Sequence, residues 1–214
     1  MFHAFFSWCF FALIALPGMN RPGEPGVDKG RDWSHAGEVI SLDEARQYTK
    51  DFTFAVDGVV AHLFEKAAVQ AVVSQENCKG VRAYHGRLGE SGKPVLVLLG
   101  VDEKGRDLRS GVILRSDNGE VISAAEAVEL TSSFTKEADG VIGHLFEAAK
   151  VAKIIAQENV SALRIYHGLN AEQKHVLVLI GSNSKGVNLV NGTMVERSLP
   201  CPPDCGNQGV VASN

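Results

Sequence analysis

The sequence predicts an α+β fold. It is a tandem repeat of two α-α-β-β-β modules, with antiparallel sheets and helices packed on one face. Three observations carry this. Gly37-Glu38-Val39-Ile40-Ser41 recurs as Gly119-Glu120-Val121-Ile122-Ser123, an offset of 82 (from 37 to 119). Each copy has an Ala-rich stretch of helical character, Glu65 to Gln75 and Glu147 to Gln157. Each then has two apolar strand-like runs joined by a short loop, which implies antiparallel pairing.

The repeat extends well beyond its first five residues. His62-Leu63-Phe64-Glu65 matches His144-Leu145-Phe146-Glu147, Gln75-Glu76-Asn77 matches Gln157-Glu158-Asn159, and Tyr84-His85-Gly86 matches Tyr166-His167-Gly168. About half the positions from Gly37 to Ser91 agree between copies, far beyond chance. A one-residue deletion near Gly92 then sets the offset to 81, so that Val95-Leu96-Val97-Leu98 matches Val176-Leu177-Val178-Leu179. The chain divides into an apolar leader (1–17), a flexible linker (18–36), module 1 (37–118), module 2 (119–199) and a Cys-Pro tail (200–214).

Each module opens with a helix. Ser41 with Glu44, and Ser123 with Glu126, have the spacing of a capping box, in which each side chain satisfies an orphan backbone donor. Asp57-Gly58 and Asp139-Gly140 read as turns. Val59 to Phe64 is ambiguous: apolar, β-branched at its start, and open to an extended conformation. In Val81-Arg82-Ala83-Tyr84-His85 alternation places Arg82 and Tyr84 on one face and Val81 and Ala83 on the other. Leu163 to His167 repeats it. Val95 to Leu99 and Val176 to Ile180 are continuous apolar runs, typical of central strands covered on both faces. Arg109 to Leu114 and Val190 to Glu196 close the modules as strands. Lys104-Gly105 and Lys185-Gly186 read as hairpin turns, and a phosphate loop would need a longer glycine pattern opening a helix.

Composition limits the function. The chain has 214 residues, 45% of them hydrophobic, with 21 Lys+Arg against 25 Asp+Glu and no basic block. That disfavours a nucleic-acid partner, which needs clustered cations. Residues Phe2 to Leu16 are almost wholly apolar, a length that fits the core of a signal peptide better than a bilayer span. No Lys or Arg precedes that run, and no small-x-small cleavage site follows it. The expectation is export or membrane anchoring through the leader alone, or a cytoplasmic protein if Met19 is the true start.

Candidate sites follow from the repeat. His62 and Glu65, with His144 and Glu147, are spaced to share a helix face and could hold a divalent metal, the one cofactor the pattern would accommodate; none is required. If Val59 to Phe64 is extended, each pair loses its common face. Arg82, Tyr84 and His85, with Arg164, Tyr166 and His167, form a repeated polar set that could bind an anionic or aromatic ligand. The alternative is cross-strand pairing on a solvated sheet face, with Arg stacked on Tyr. His85 and His167 are the only general acid–base candidates of this region, with no paired nucleophile, so no catalytic residue is assigned. Cys201 and Cys205 bracket a stiff Pro-Pro loop. They suit a disulfide in an exported protein, with Cys78 as an alternative partner, or free thiols, or half a metal site.

The segment Gln75-Glu76-Asn77-Cys78-Lys79-Gly80-Val81-Arg82-Ala83-Tyr84-His85-Gly86, the strand and turn Val95-Leu96-Val97-Leu98-Leu99-Gly100-Val101-Asp102, and the ending Cys201-Pro202-Pro203-Asp204-Cys205 together resemble a group of small uncharacterised bacterial proteins. The resemblance covers each repeat from about the second helix onward, plus the tail. It implies a module and no activity. The second copy departs from the pattern, with Val160 in place of the cysteine and Ser182-Asn183 in place of Val101-Asp102. The function expected is therefore a non-enzymatic module that binds an unknown protein or small molecule. The competing expectation is a metal-binding protein or metal-dependent enzyme using the repeated His and Glu.

Overall fold

A computed structural model of the chain describes residues 32–50, 52, 58–134 and 140–205. The apolar leader with Cys9, the linker up to residue 31, the turn residues Asp57 and Asp139, and the tail after Cys205 lie outside the described residues. The described part is α+β, with four helices and two five-stranded antiparallel sheets. Among the described residues no helix is long and apolar enough to cross a membrane.

In chain order the elements are β1 (Glu38–Ile40), α1 (Leu42–Thr49), β2 (Ala61–Glu65), α2 (Lys66–Val73), β3 (Gly80–Leu88), β4 (Lys93–Val101), β5 (Ile113–Arg115), α3 (Ala124–Ser132), β6 (Gly143–Glu147), α4 (Ala148–Ile155), β7 (Ala162–Leu169), β8 (His175–Ser182), β9 (Met194–Glu196) and β10 (Leu199–Cys201). One sheet has the order β1-β9-β8-β7-β2, the other β10-β6-β3-β4-β5. Residues 37–118 and 119–199 therefore each contribute strands to both sheets. β2 pairs with β7, and β6 pairs with β3. The ambiguous stretch before α2 is resolved as strand β2, and the corresponding stretch before α4 as β6.

The helices do not share one face. α1 packs on β7, β8 and β9, and α3 on β3, β4 and β5. α2 and α4 pack on each other and touch strands of both sheets. Their apolar residues Val69, Val72, Val151 and Ile154, all fully buried, join Phe64, Phe146, Val81, Ala83, Leu163 and Ile165 in the central core. Helices carrying apolar residues toward two sheets bury more surface between them than on an outer face, at roughly 25 cal/mol per Å² of apolar area removed from water.

Local chemistry explains several repeated residues. Ser41 and Glu44 form the expected capping box, with Ser41 N–H donating to Glu44 Oε2 at 2.9 Å and Glu44 N–H donating to Ser41 Oγ at 3.2 Å. Ser123 accepts from Glu126 N–H, but the Glu126 carboxylate takes Arg115 at 2.6 Å, leaving half a box. Gln75 and Gln157 each tie a helix end to a distant loop. Their Nε2 atoms donate to Val72 O and Ile154 O, and their Oε1 atoms accept from Val112 N–H and Thr193 N–H. Asn77 and Asn159 turn the chain at φ 63° and 62°, a left-handed conformation that asparagine tolerates. Asp102 Oδ1 accepts from Lys104 and Arg106 N–H, and Asn183 Oδ1 likewise from Lys185 and Val187 N–H. Asp102 and Asn183 thus hold their two turns in the same way.

Candidate functional site: a buried histidine cluster

Period-two alternation decides where the histidines point. His62 and Phe64 share the inner face of β2, as His144 and Phe146 do on β6. His85 follows Val81 and Ala83 on the inner face of β3, and His167 follows Leu163 and Ile165 on that of β7. Since β2 and β6 run directly into α2 and α4, the histidines gather at the strand ends remote from those junctions. There they continue the apolar core as a buried layer. His62, His85, His144, His167 and His175 are all buried, none more than 7% exposed.

The rings pack closely. The centroids of His85 and His175 are 4.7 Å apart in a stack, those of His167 and His175 5.0 Å, and His144 stands edge-on to His85 at 5.3 Å. Phe134 stacks on His85 at 5.1 Å, and Phe52 on His167 at 5.2 Å. The glycine after each repeated histidine lets a helix end approach. A Cβ at Gly168 would lie 2.7 Å from the carbonyl oxygen of Tyr48, and one at Gly86 would lie 3.1 Å from that of Leu130.

Polar contacts orient the rings. His62 Nδ1 is 2.8 Å from Ser116 Oγ, His144 Nδ1 is 2.8 Å from Ser198 Oγ, and His167 Nδ1 is 2.9 Å from His175 Nε2. Among the described residues the buried Nε2 atoms of His62, His85 and His144 have no hydrogen-bond partner. Burial holds the His62 imidazole down to about 4, helped by the Lys93 cation and opposed by Asp117. Burial first, and then neighbouring histidines, hold His85, His144 and His167 well below the usual histidine range. These four rings are neutral near pH 7, the form whose lone pair binds metal.

Three of these buried histidines could form a metal site. His85, His144 and His175 each offer a ring nitrogen, and the three nitrogens lie within 4.8 Å of one another. Ligands at about 2.0–2.1 Å around a tetrahedral ion stand about 3.4 Å apart, closer than the 4.8 Å that bounds this set, so the rings must draw together to hold an ion.

The structure places the expected site residues in two groups. His62, His85, His144 and His167 come together, and His175 joins them. Glu65 is exposed on the opposite face of β2 from His62, because three residues along a strand reverse the side. Glu147 pairs with Lys150 at 3.2 Å. Arg82 and Tyr84 lie on the outer face of β3, away from His85, and are fully buried rather than solvated. Arg82 pairs with Asp107, whose other oxygen accepts from Tyr84 O–H at 2.9 Å. Arg164 and Tyr166 meet the neutral Asn188 instead, with Arg164 donating to Asn188 Oδ1 and Asn188 Nδ2 donating to Tyr166 Oη, each at 2.8 Å. Cys201 and Cys205 form a disulfide, and Cys78 is free and half-buried, with its thiol 3.2 Å from Gly80 O.

His175 has no counterpart to announce it. Gly168 faces Val176 as Gly86 faces Val95, so His175 takes the register position of Pro94. Its signal in the sequence was a histidine opening an otherwise apolar run. No protein-family model matches the chain, and no curated protein and no solved structure matches it either.

Proposed function

We propose that this protein is a metal-binding protein, a tandem duplication that holds one divalent transition-metal ion between its two sheets. The observation that carries it is the convergence of nitrogens from His85, His144 and His175 within 4.8 Å of one another. Three strands from two sheets supply these ligands, so an ion there ties the sheets together. A set of neutral imidazoles without carboxylate suits zinc, cobalt, nickel or copper and not the hard cations magnesium and calcium. The Ser198 contact supports it further. A ligating imidazole usually gives its second ring proton to an acceptor outside the metal shell, and Ser198 Oγ stands at that position for His144. With Nδ1 protonated toward the serine, His144 Nε2 turns its lone pair into the cluster.

The duplication is supported by correspondences 82 positions apart, His62 with His144, His85 with His167 and Phe52 with Phe134; Ser116 and Ser198, one residue out of the 81-residue offset that holds after Gly92, make the same contact to His62 and His144. The burial of all three ligands favours a structural or storage role over catalysis, which keeps an open coordination position facing substrate. Export or tethering through the leader remains part of the proposal, with a binding rather than a catalytic role. Elemental analysis of untagged full-length protein tests it: about one transition-metal ion per chain is expected after zinc loading and dialysis, and a metal-free protein with unchanged melting behaviour in chelator would overturn it. Intact mass of the native protein fixes its N-terminus.

A further inference from the structure

The described part of the tail covers one face of the molecule, and among the described residues the corresponding face has no such cover. β10 adds to the edge of β6, with Leu199 opposite Leu145 and Cys201 opposite Gly143, and Ile142 N–H donates to Cys201 O at 2.7 Å. The two cysteines of the disulfide-closed turn join the apolar cluster that holds Tyr84, and Arg82 Nη2 donates to Asp204 O at 2.9 Å. Under this cover Leu145, Arg82 and Tyr84 are all 0% exposed.

β2 carries the same His-Leu-Phe-Glu sequence as β6, but among the described residues it is the outer edge of its sheet. Leu63, the counterpart of Leu145, is 43% exposed. Arg164 and Tyr166, the counterparts of Arg82 and Tyr84, are only half-buried, and Tyr166 borders a cavity of about 260 Å³ with Leu42, Val178, Ile180 and Met194. Charge differs as well. Arg82 has the carboxylate of Asp107, whereas Arg164 has Asn188 and no carboxylate within ion-pairing distance among the described residues. A half-buried guanidinium with no counter-charge among the described residues, beside an apolar edge strand, is complementary to an extended segment that brings an acid.

We propose that the β2 edge, backed by Arg164 and Tyr166, docks an extended segment of a partner protein, one that carries an apolar residue over Leu63 and then an acidic turn. The segment adds an antiparallel strand through its main chain, as peptides do on open sheet edges. Its turn places a carbonyl or carboxylate on Arg164, repeating for the second copy what Leu199 to Cys205 does for the first. The site depends on the duplication proposed above but not on the metal.

The chain's own tail is the available probe. A synthetic peptide of residues 198–205, oxidised to its disulfide, is titrated into full-length protein by calorimetry and by amide chemical shifts. Saturable binding at one peptide per chain is expected, with shifts at Leu63 and Tyr166. Leu63→Asp, at an exposed position, and Arg164→Gln should each weaken binding at least tenfold while leaving bound metal unchanged. No binding at millimolar peptide, or binding indifferent to both substitutions, would overturn the proposal. Self-association of the free chain abolished by Leu63→Asp would overturn it too, because the edge would then serve a second copy. Loss of metal binding alone would leave this site standing.

Discussion

The imidazole Nδ1 of His144 lies 2.8 Å from the hydroxyl oxygen of Ser198, across the gap between β6 and the segment joining β9 to β10. That contact fixes which ring nitrogen faces the cluster. Ser198→Ala removes the hydrogen-bond partner of Nδ1 and frees the ring to rotate or change tautomer. A 10- to 100-fold weaker affinity for zinc is expected from loss of such a contact. Ser116→Ala removes the matching contact to His62, which is outside the proposed ligand set, and should change affinity little. Competition titrations with a chromophoric chelator compare the two.

His175 stands in β8 at the register position that Pro94 holds in β4. His175→Pro installs the residue that β4 carries at the same register position, where proline is accommodated at the strand's opening. The chain should fold, keep its far-UV circular dichroism and bind zinc at least a hundredfold more weakly. His175→Gln, which keeps a polar side chain without the imidazole, checks that the loss comes from the ligand and not from the backbone.

Acid should unfold the protein early. A histidine whose folded pKa is depressed binds fewer protons in the folded state, so its contribution is intact above the ordinary value near 6.5. It is lost as pH falls below that, and the loss is complete once pH passes the folded value, about 4 for His62. Each such ring lowers stability by about 1.4 kcal/mol per pH unit inside its window. His62 alone accounts for a loss on the order of 3 kcal/mol, and His85, His144 and His167 act in the same direction. Urea denaturation of metal-free protein at pH 7.5, 6 and 5 should show a steepening loss below pH 6.5. A flat profile to pH 5 would contradict the neutral, buried state of these rings.

Arg82 and Arg164 should respond unequally to loss of their partners. Asp107→Ala strands a buried guanidinium and an unsatisfied Tyr84 hydroxyl, at a cost of about 3–5 kcal/mol. Asn188→Ala removes one charge-assisted bond from the half-buried Arg164 and one neutral bond to Tyr166 but strands no ion pair, and should cost about 2 kcal/mol. Chemical denaturation of the two variants decides the order.

How much of this was legible in the sequence depends on the range of the interaction. Ser41 with Glu44 and the apolar run Val95 to Leu99 act over a few residues, and both appear as read. So does the pairing of Arg82 with Tyr84 on one face. Their burial was not legible, because the counter-charge comes from Asp107 and the cover from the tail at Asp204. The helical face expected for His62 and Glu65 failed at the ambiguous stretch, since Ala61–Glu65 finds its partner in β7, a hundred residues away in the chain. Alternation alone would have moved His85 to the face of Val81 and Ala83. Reading Arg-x-Tyr-His as one unit hid this, and His175 went unread because the matching register position in β4 is Pro94. The Cys-Pro-Pro-Asp-Cys ending left a disulfide, free thiols or half a metal site open, and of these the structure has the disulfide Cys201–Cys205, closed between neighbours in sequence.

Cobalt titration of the full-length, metal-free protein tests the central claim most directly, because its visible absorption reports both coordination and stoichiometry. The account predicts tetrahedral-type d–d bands saturating at one cobalt per chain, displaced by zinc and absent from the His175→Pro variant. Saturating zinc, at about 100 times its dissociation constant, should add about 2.7 kcal/mol, or roughly 5–10 °C in melting temperature. A colourless titration with no thermal shift, or bands that survive in His175→Pro, would contradict it.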